Sequence, residues 1–593
     1  MDHPLMHPVH KFYIPVMGTG FTIDTPLKVA RYGISSAISL VDDVLIEQMR
    51  RRVSQDTGQP FEEIGDRDED SRARRITSYL NLMDDVIQTQ YQNLKADLFE
   101  KGSELTRYFE MLPDSPLRAL YGKMQETLDP AERARMQESL REKIRLGGID
   151  VNIMTKLDRI RLERGQDMGP KFSDAMSALR GYAQSKVRSS LILSAGMNRK
   201  LFAYLTEFSD FFPDEAGDIR KRIILKVSDY RSALVQGKLL ARQGLWVSEF
   251  RIESGLNCGG HAFGGKGTLL GPVLEDFQRE RDKLTETLQD VWIQGLEKLG
   301  RQAPVEPMRF RVTVQGGIGT AEESEMLEKQ YQVDGTGWGS PFLLAPDVVN
   351  IDQVHLERLK WAEEKDVQLS NASPLGVPFW CLKTSASEEL RLNLIGEGKP
   401  GSACPKGFLV SNTEFTKVPI CTASRAYQRR KLNQLESLDL SEEKLAFEEQ
   451  QVQDKACICH DLAGSATVPY GIDPTATTAV CCGPNTVYFS RVTRLREMVD
   501  HIYGRAQLPF KLERPHMFLK ELSLHVDRLR EDVESRRQGL IDAAPKSVDE
   551  VRENLSRGIS LYRELAGKFV SDQKEEFQSR LEKLRKDLEQ LRP

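Results

Sequence analysis

Eight short apolar runs, separated by helical sequence and in several cases ended by glycine-rich turns, constrain this chain more than any other feature. The runs are Phe12 to Met17, Ile34 to Val41, Ile149 to Met154, Ser190 to Ser194, Ile223 to Val227, Val247 to Ile252, Phe310 to Val314 and Val333 to Thr336. Between the first two, Thr25-Pro26-Leu27-Lys28-Val29-Ala30 reads as a helix start, with Thr25 as N-cap, Pro26 at the first position and Gly33 closing the helix. Strand, helix and strand within about 30 residues form a βαβ unit, which implies a parallel sheet. Helical stretches such as Tyr230 to Gln243 and Val273 to Lys298 keep the alternation going. Eight strands in this order predict an α/β fold, a closed (β/α)₈ barrel, more naturally than an open sheet.

The barrel accounts for residues 1–41 and 147–347 of the 593. Residues 42–146 break the rhythm and read as a helical insertion, whose charged runs Arg50-Arg51-Arg52, Asp66 to Arg75 and Asp129 to Arg145 are expected to be solvated faces. Residues 348–485 form a loop-rich, cysteine-containing extension, and 486–593 turn helical again. There Phe577, Leu581, Leu584, Leu588 and Leu591 make a heptad-like seam, short enough that packing on the same chain is expected before dimerisation. Nothing in the sequence fixes the oligomeric state.

With 39% hydrophobic residues the chain can build a substantial core, and a formal net charge of -5 gives no global field for nucleic acid. No apolar run is long enough to insert in a membrane, and Met1 to His10 lacks the apolar stretch of a secretory signal, so the cytoplasm is the expected location. His3, His7 and His10 lie among prolines at the terminus and are read as incidental rather than metal-binding.

The chemistry concentrates in the turns. Gln315-Gly316-Gly317-Ile318-Gly319-Thr320 follows the seventh strand, and Gly337-Trp338-Gly339-Ser340-Pro341 follows the eighth. Barrels commonly bind a phosphate with backbone N–H groups of these two loops, aided by a helix N-terminus. Glycine lets the backbone approach the phosphate oxygens. After the sixth strand comes Asn257-Cys258-Gly259-Gly260-His261. A histidine behind two glycines on a strand-end loop can face a ligand and exchange protons near neutral pH, although it could equally serve to hold the loop's shape.

These segments resemble the nitronate monooxygenases and the flavin-dependent enoyl-acyl-carrier-protein reductases. The likeness runs through Pro15-Val16-Met17-Gly18, Thr25 to Ala30, Asp150-Val151-Asn152-Ile153, Lys226-Val227, Gly259-Gly260-His261, Gly316-Gly317-Ile318-Gly319 and Gly339-Ser340-Pro341-Phe342-Leu343, in that family's order. It implies an FMN-binding barrel. Gly316, Gly317, Gly339 and Ser340 would hold the phosphate, while Met17, Gly18, Thr19, Asn152, Lys226 and Gly260 would complete the flavin site. His261 matches the family's active-site histidine. Asn257-Cys258 stands where the family has Glu-Ala, and Ser340 where Thr is usual, which leaves the substrate open. Cys258 is a candidate redox or proton-donating group, with simple burial the alternative.

Of eight cysteines, none precedes Cys258 and seven lie between Cys381 and Cys482. Cys404, Cys421, Cys457 and Cys459 sit on loops, as an iron–sulfur cluster or a structural zinc would require, but no standard CxxC pairing is present. Metal-free buried or redox thiols fit too, and Cys481 and Cys482 are reserve ligands. The Cys404-Pro405-Lys406-Gly407 segment distantly resembles the cluster region of glutamate synthase. The expectation is therefore an FMN-dependent oxidoreductase acting on a small organic substrate, with an iron–sulfur cluster as a candidate electron relay. An enoyl-thioester reductase is one alternative. Another is a flavin-bearing subunit that docks an electron-transfer or other partner through its helices. No second dinucleotide fingerprint occurs, so NAD(P)H, if it is the donor, would bind on the barrel.

Overall fold

In the computed structural model the described residues are 8–154, 158–163, 166–194, 196–473, 475–541, 545–567 and 571–591. His3 and His7 lie outside them. Eight parallel strands close a barrel: β1 (Phe12–Ile14), β2 (Ser35–Ser39), β3 (Ile149–Ile153), β4 (Ser189–Leu193), β5 (Lys221–Val227), β6 (Val247–Glu253), β7 (Arg311–Gln315) and β8 (Gly335–Gly337). Each strand pairs with its sequence neighbours, and Phe12↔Thr336 and Tyr13↔Gly337 close the ring between β1 and β8. Because all strands point the same way, the eight turns that follow them gather at one end, where barrel enzymes place their chemistry.

The first crossover is shorter than its sequence suggested. Its helix spans Thr25–Val29, and Thr25 is no cap: it is buried, and its hydroxyl donates to the Val348 carbonyl at 2.9 Å. Gly33 does end the following turn, at φ +79°. His10 is not part of a loose terminus either. It is buried, its ring bonded to the Tyr503 hydroxyl at 2.8 Å and the Tyr32 carbonyl at 3.1 Å, and burial lowers its pKa to about 4.

Five helices fill the insertion, from Asp43–Thr57 to Pro130–Glu142. Its charged runs are only partly solvated. Arg72 and Arg75 are buried and both pair with buried Asp43, and Arg72 also donates to the Leu40 and Val41 carbonyls just past β2. A buried guanidinium needs such compensation to be tolerated.

The extension is less irregular than its composition implied. It carries an antiparallel hairpin, β9 (Val367–Ser370) with β10 (Phe379–Leu382), and helices at Gln353–Trp361, Ala386–Gly396, Arg425–Glu436 and Glu442–Gln453. Trp380, Leu382, Val480 and Cys482 join the same hydrophobic core as the barrel strands. The C-terminal seam packs inward: Phe577, Leu581 and Leu588 are buried in that core. Among the described residues no helix is long and apolar enough to cross a membrane.

Candidate flavin site at the barrel mouth

A cavity of about 270 Å³ opens at the C-terminal ends of the strands. Met17, Gly18, Thr19, Asn152, Lys226, Cys258, Gly260, His261, Gly316, Gly317, Gly339 and Ser340, all singled out from sequence, line it together. They come from the ends of β1, β3, β5, β6, β7 and β8, so only barrel closure could bring them to one place.

The two glycine turns differ in how they are built. Gly316 and Gly317 have φ of +127° and +74°, a region that disfavours side chains, and a Cβ on Gly317 would sit 1.9 Å from Asn257 Nδ2. Gly339 instead faces Pro15 and Met17 at ordinary contact distance, leaving its backbone approachable. The helix N-terminus after β7 is partly committed to the protein. Gly319 N–H donates to Glu323 Oε2 at 2.9 Å, and the Thr320 hydroxyl accepts from Glu323 N–H at 3.2 Å. Burial alone would raise the Glu323 pKa, but Arg514, 2.8 Å away, outweighs it and holds the carboxylate below its usual range.

Two polar atoms in the wall, Thr19 Oγ1 and Asn257 Oδ1, are buried with no hydrogen-bond partner among the described residues. Orphaned buried acceptors and donors cost about 1–3 kcal/mol each, a cost that a bound polar ligand or water would remove. Asn257 is otherwise fixed, its Nδ2 donating to the Met517 carbonyl at 3.1 Å and its N–H to Ser254 Oγ at 3.0 Å. A ligand that carries both N–H or O–H donors and acceptor oxygens, with an apolar ring face, would suit this acceptor, this hydroxyl, the glycine turns and the apolar lining of Val16, Ile192 and Leu343.

The floor is a polar column. Lys226 Nζ pairs with Glu253 at 2.9 Å, Gln315 Nε2 donates to Glu253 at 2.7 Å, and the Tyr13 hydroxyl donates to Gln315 Oε1 at 3.1 Å. Below it Arg251 lies 3.8 Å from the Tyr13 ring centre and pairs with Glu249 at 2.8 Å and Asp150 at 3.4 Å. Lys226 therefore presents a compensated cation to the cavity.

His261 lies on a loop tied by backbone to the extension. Ala262 N–H donates to the Pro378 carbonyl and Trp380 N–H to the Gly260 carbonyl, both at 2.9 Å. The ring packs edge-on to Phe379, 5.1 Å between centres, and its Nε2 is 2.7 Å from the Ser373 hydroxyl. Cys258 is half-buried at the cavity wall. Burial, then the charge of Glu253, pushes its thiol well above the ordinary value, and it donates to the Gln315 carbonyl at 3.5 Å. At neutral pH it is a thiol, not a thiolate nucleophile.

The extension supplies wall that the sequence did not signal. Leu375, Phe379, Leu462, Cys481, Gly483 and Asn485 all reach the cavity. Asn485 donates to the Ile318 carbonyl at 3.0 Å and accepts from Arg514 Nε at 2.7 Å, clamping the phosphate turn. Gly260, at φ +78°, leaves room for Cys481, whose sulfur would stand 3.1 Å from a Cβ there. Glycines at 259, 260 and 483 were the available hint of a close approach, but not of which segments met.

Three of the four expected metal ligands, Cys404, Cys421 and Cys459, belong to one hydrophobic cluster with Leu409, Ala423 and Ile458, and Cys457 adjoins it at the start of the helix Ile458–Asp461. Cys481 shares that cluster and also lines the cavity, whereas Cys482 is buried in the main core. Among the described residues no three His, Cys, Asp or Glu side chains close around a single metal ion.

No protein-family model and no curated protein sequence matches this chain. Among solved structures, it is similar to the enoyl reductase domain of MlnA from the macrolactin biosynthesis cluster of Bacillus amyloliquefaciens. The identity is 15% and the TM-score 0.32, over 70% of this chain and 88% of that one, a likeness too low to argue from.

Proposed function

We propose that the barrel mouth binds FMN and that the protein is a flavin-dependent oxidoreductase of the nitronate monooxygenase-like class, acting on a small organic substrate. The observation that carries this reading is the meeting of two glycine turns, at the ends of β7 and β8, in one cavity whose wall holds unpartnered Thr19 Oγ1 and Asn257 Oδ1. When bound, FMN supplies hydride and electron transfer.

The chain's own residues do the rest. Gly316, Gly317, Gly339 and Ser340 hold the phosphate, and Met17, Gly18, Thr19, Asn152, Lys226 and Gly260 surround the ring system. Lys226, its charge balanced by Glu253, offers N–H donors to a ligand at the cavity floor. His261, oriented by Ser373 and Phe379, exchanges a proton with the substrate at its imidazole nitrogen. Cys258, held protonated, is a neutral donor beside it. Phe379, Leu375 and Leu462 from the extension narrow the mouth and exclude water.

The test is to purify the protein, release its flavin by denaturation, and assay turnover with NAD(P)H and small enoyl thioesters or nitroalkanes. Bound FMN with turnover supports the proposal. No flavin from flavin-replete cells refutes it. Bound FMN that turns over only with a second protein would identify a flavin-bearing subunit.

A further inference from the structure

The turn after β7 is held from outside the barrel. The successive carbonyls of Gly317, Ile318 and Gly319 each accept from a side chain of the region that follows the extension. Arg514 Nη2 donates to Gly317, Asn485 Nδ2 to Ile318 at 3.0 Å, and His501 Nε2 to Gly319 at 2.8 Å. The direction of the last bond follows from the other ring nitrogen. His501 Nδ1 lies 3.2 Å from the Leu508 N–H, which can only donate, so the ring proton sits on Nε2. Asn485 lies in the short turn Pro484–Tyr488, His501 in the helix Leu495–Ile502, and Arg514 just before the helix Met517–Arg537.

These three side chains form a connected grip. Arg514 Nε donates to Asn485 Oδ1 at 2.7 Å, and both terminal nitrogens donate to Glu323 at 2.8 Å. Glu323 also accepts from Gly319 N–H at 2.9 Å and from Met517 N–H at 2.7 Å. The guanidinium lies so close to the turn that a Cβ on Gly319 would stand 2.5 Å from its Nε. Its charge is matched by Glu323 within a buried pair, so what Arg514 gives the turn is geometry rather than field. In a trans peptide the N–H lies opposite the preceding carbonyl. Fixing the Gly317 carbonyl on Arg514 therefore turns the Ile318 N–H to the other side. Among the described residues that N–H and the one of Gly317 meet no acceptor, and both residues line the cavity.

We propose that Arg514 and His501 are positioning residues of the phosphate turn. Neither lines the cavity, and from behind it they hold the turn's carbonyls so that its N–H groups stay free for a phosphate. This role rests on the phosphate reading of the turn. Asn485, which lines the cavity and also bonds the turn, links the two faces. A purely structural Arg514–Glu323 pair would need neither the bond to Gly317 nor the one to Asn485. Phosphate affinity is then no property of the barrel segments alone, because it depends on side chains 167 to 197 positions beyond the carbonyls they hold.

Full-length protein stripped of flavin would be titrated with FMN and with riboflavin, which has the same ring and no phosphate, following flavin fluorescence. The natural chain should bind FMN the more tightly. Arg514→Lys keeps a charge for Glu323 without the planar fork, and His501→Phe keeps a ring without a donor. Each should cut the preference for FMN over riboflavin roughly tenfold, the loss of about one well-made hydrogen bond, with riboflavin affinity unchanged. His501→Gln, which retains a donor, should keep most of the preference. An unchanged preference in either variant removes that residue's role, and equal loss of both flavins overturns the proposal. Should Arg514→Lys fail to fold, the two His501 variants decide. If the natural chain binds neither flavin, the flavin reading fails, and inorganic phosphate followed by calorimetry tests the turn itself. Phosphate binding that His501→Phe loses would uphold the positioning role, whereas binding that it keeps, or none in the natural chain, would overturn it.

Discussion

Glu521 offers a test of how the C-terminal helices hold the candidate site. Its carboxyl is buried where the helix Met517–Arg537 meets the end of β6, accepting from Ser254 Oγ at 2.5 Å and from Leu270 N–H at 2.8 Å. Ser254 in turn fixes Asn257, a residue of the cavity lining. Burial raises the Glu521 pKa from 4.5 to about 7 despite these bonds. The folded chain therefore binds this proton more tightly than the unfolded chain. The associated stability is full below about pH 4.5, falls as pH rises, and is lost above about pH 7. At 1.36 kcal/mol per unit the loss comes to about 3 kcal/mol. Glu521→Gln mimics the protonated form, with an acceptor for Leu270 and a donor toward Ser254. Urea unfolding of both proteins at pH 5 and pH 8 isolates the effect, since other groups titrate alike in the two. The variant should match the natural chain at pH 5 within about 1 kcal/mol and exceed it by about 3 kcal/mol at pH 8. A difference that does not change with pH, or a variant that loses ground at pH 8, would refute the reasoning.

His261→Ala should keep flavin and melting temperature, because the loop's bonds to Pro378 and Trp380 are backbone, and lose about 10²–10⁴ in turnover by steady-state assay. Ser373→Ala should shift the pH profile of kcat, since its hydroxyl bonds the imidazole, while a fall in flavin content would trace to its second bond, from the Leu375 N–H. Gly317→Val should release flavin, measured by absorbance after gel filtration, because its side chain displaces Asn257 and strains a backbone at φ +74°.

The barrel was legible because each strand is a short buried run and the turns after it must satisfy close backbone approach, so glycines mark both the strand ends and the ligand face. The glycines of those turns line the cavity, together with Met17, Asn152 and Lys226, which the family resemblance singled out. The part of the cavity wall supplied by the extension was not legible. Asn485 binds Ile318 across 167 positions, and Phe379 meets His261 from a hairpin whose strands look like any loop-rich sequence. Such contacts arise from tertiary packing and leave no local period. Arg72 was misread as solvated for a related reason: its partner Asp43 lies on another helix. The cysteines were legible as a cluster in sequence, but the packing of Cys404, Cys421 and Cys459 with Leu409, Ala423 and Ile458 is a tertiary arrangement that no local pattern announces.

The central claim is most directly tested by identifying and counting the flavin released from denatured, purified protein by chromatography. The account predicts FMN at about one per chain, held by a site built for one nucleotide phosphate. FAD in its place, or no flavin from protein made in flavin-replete cells, would contradict it.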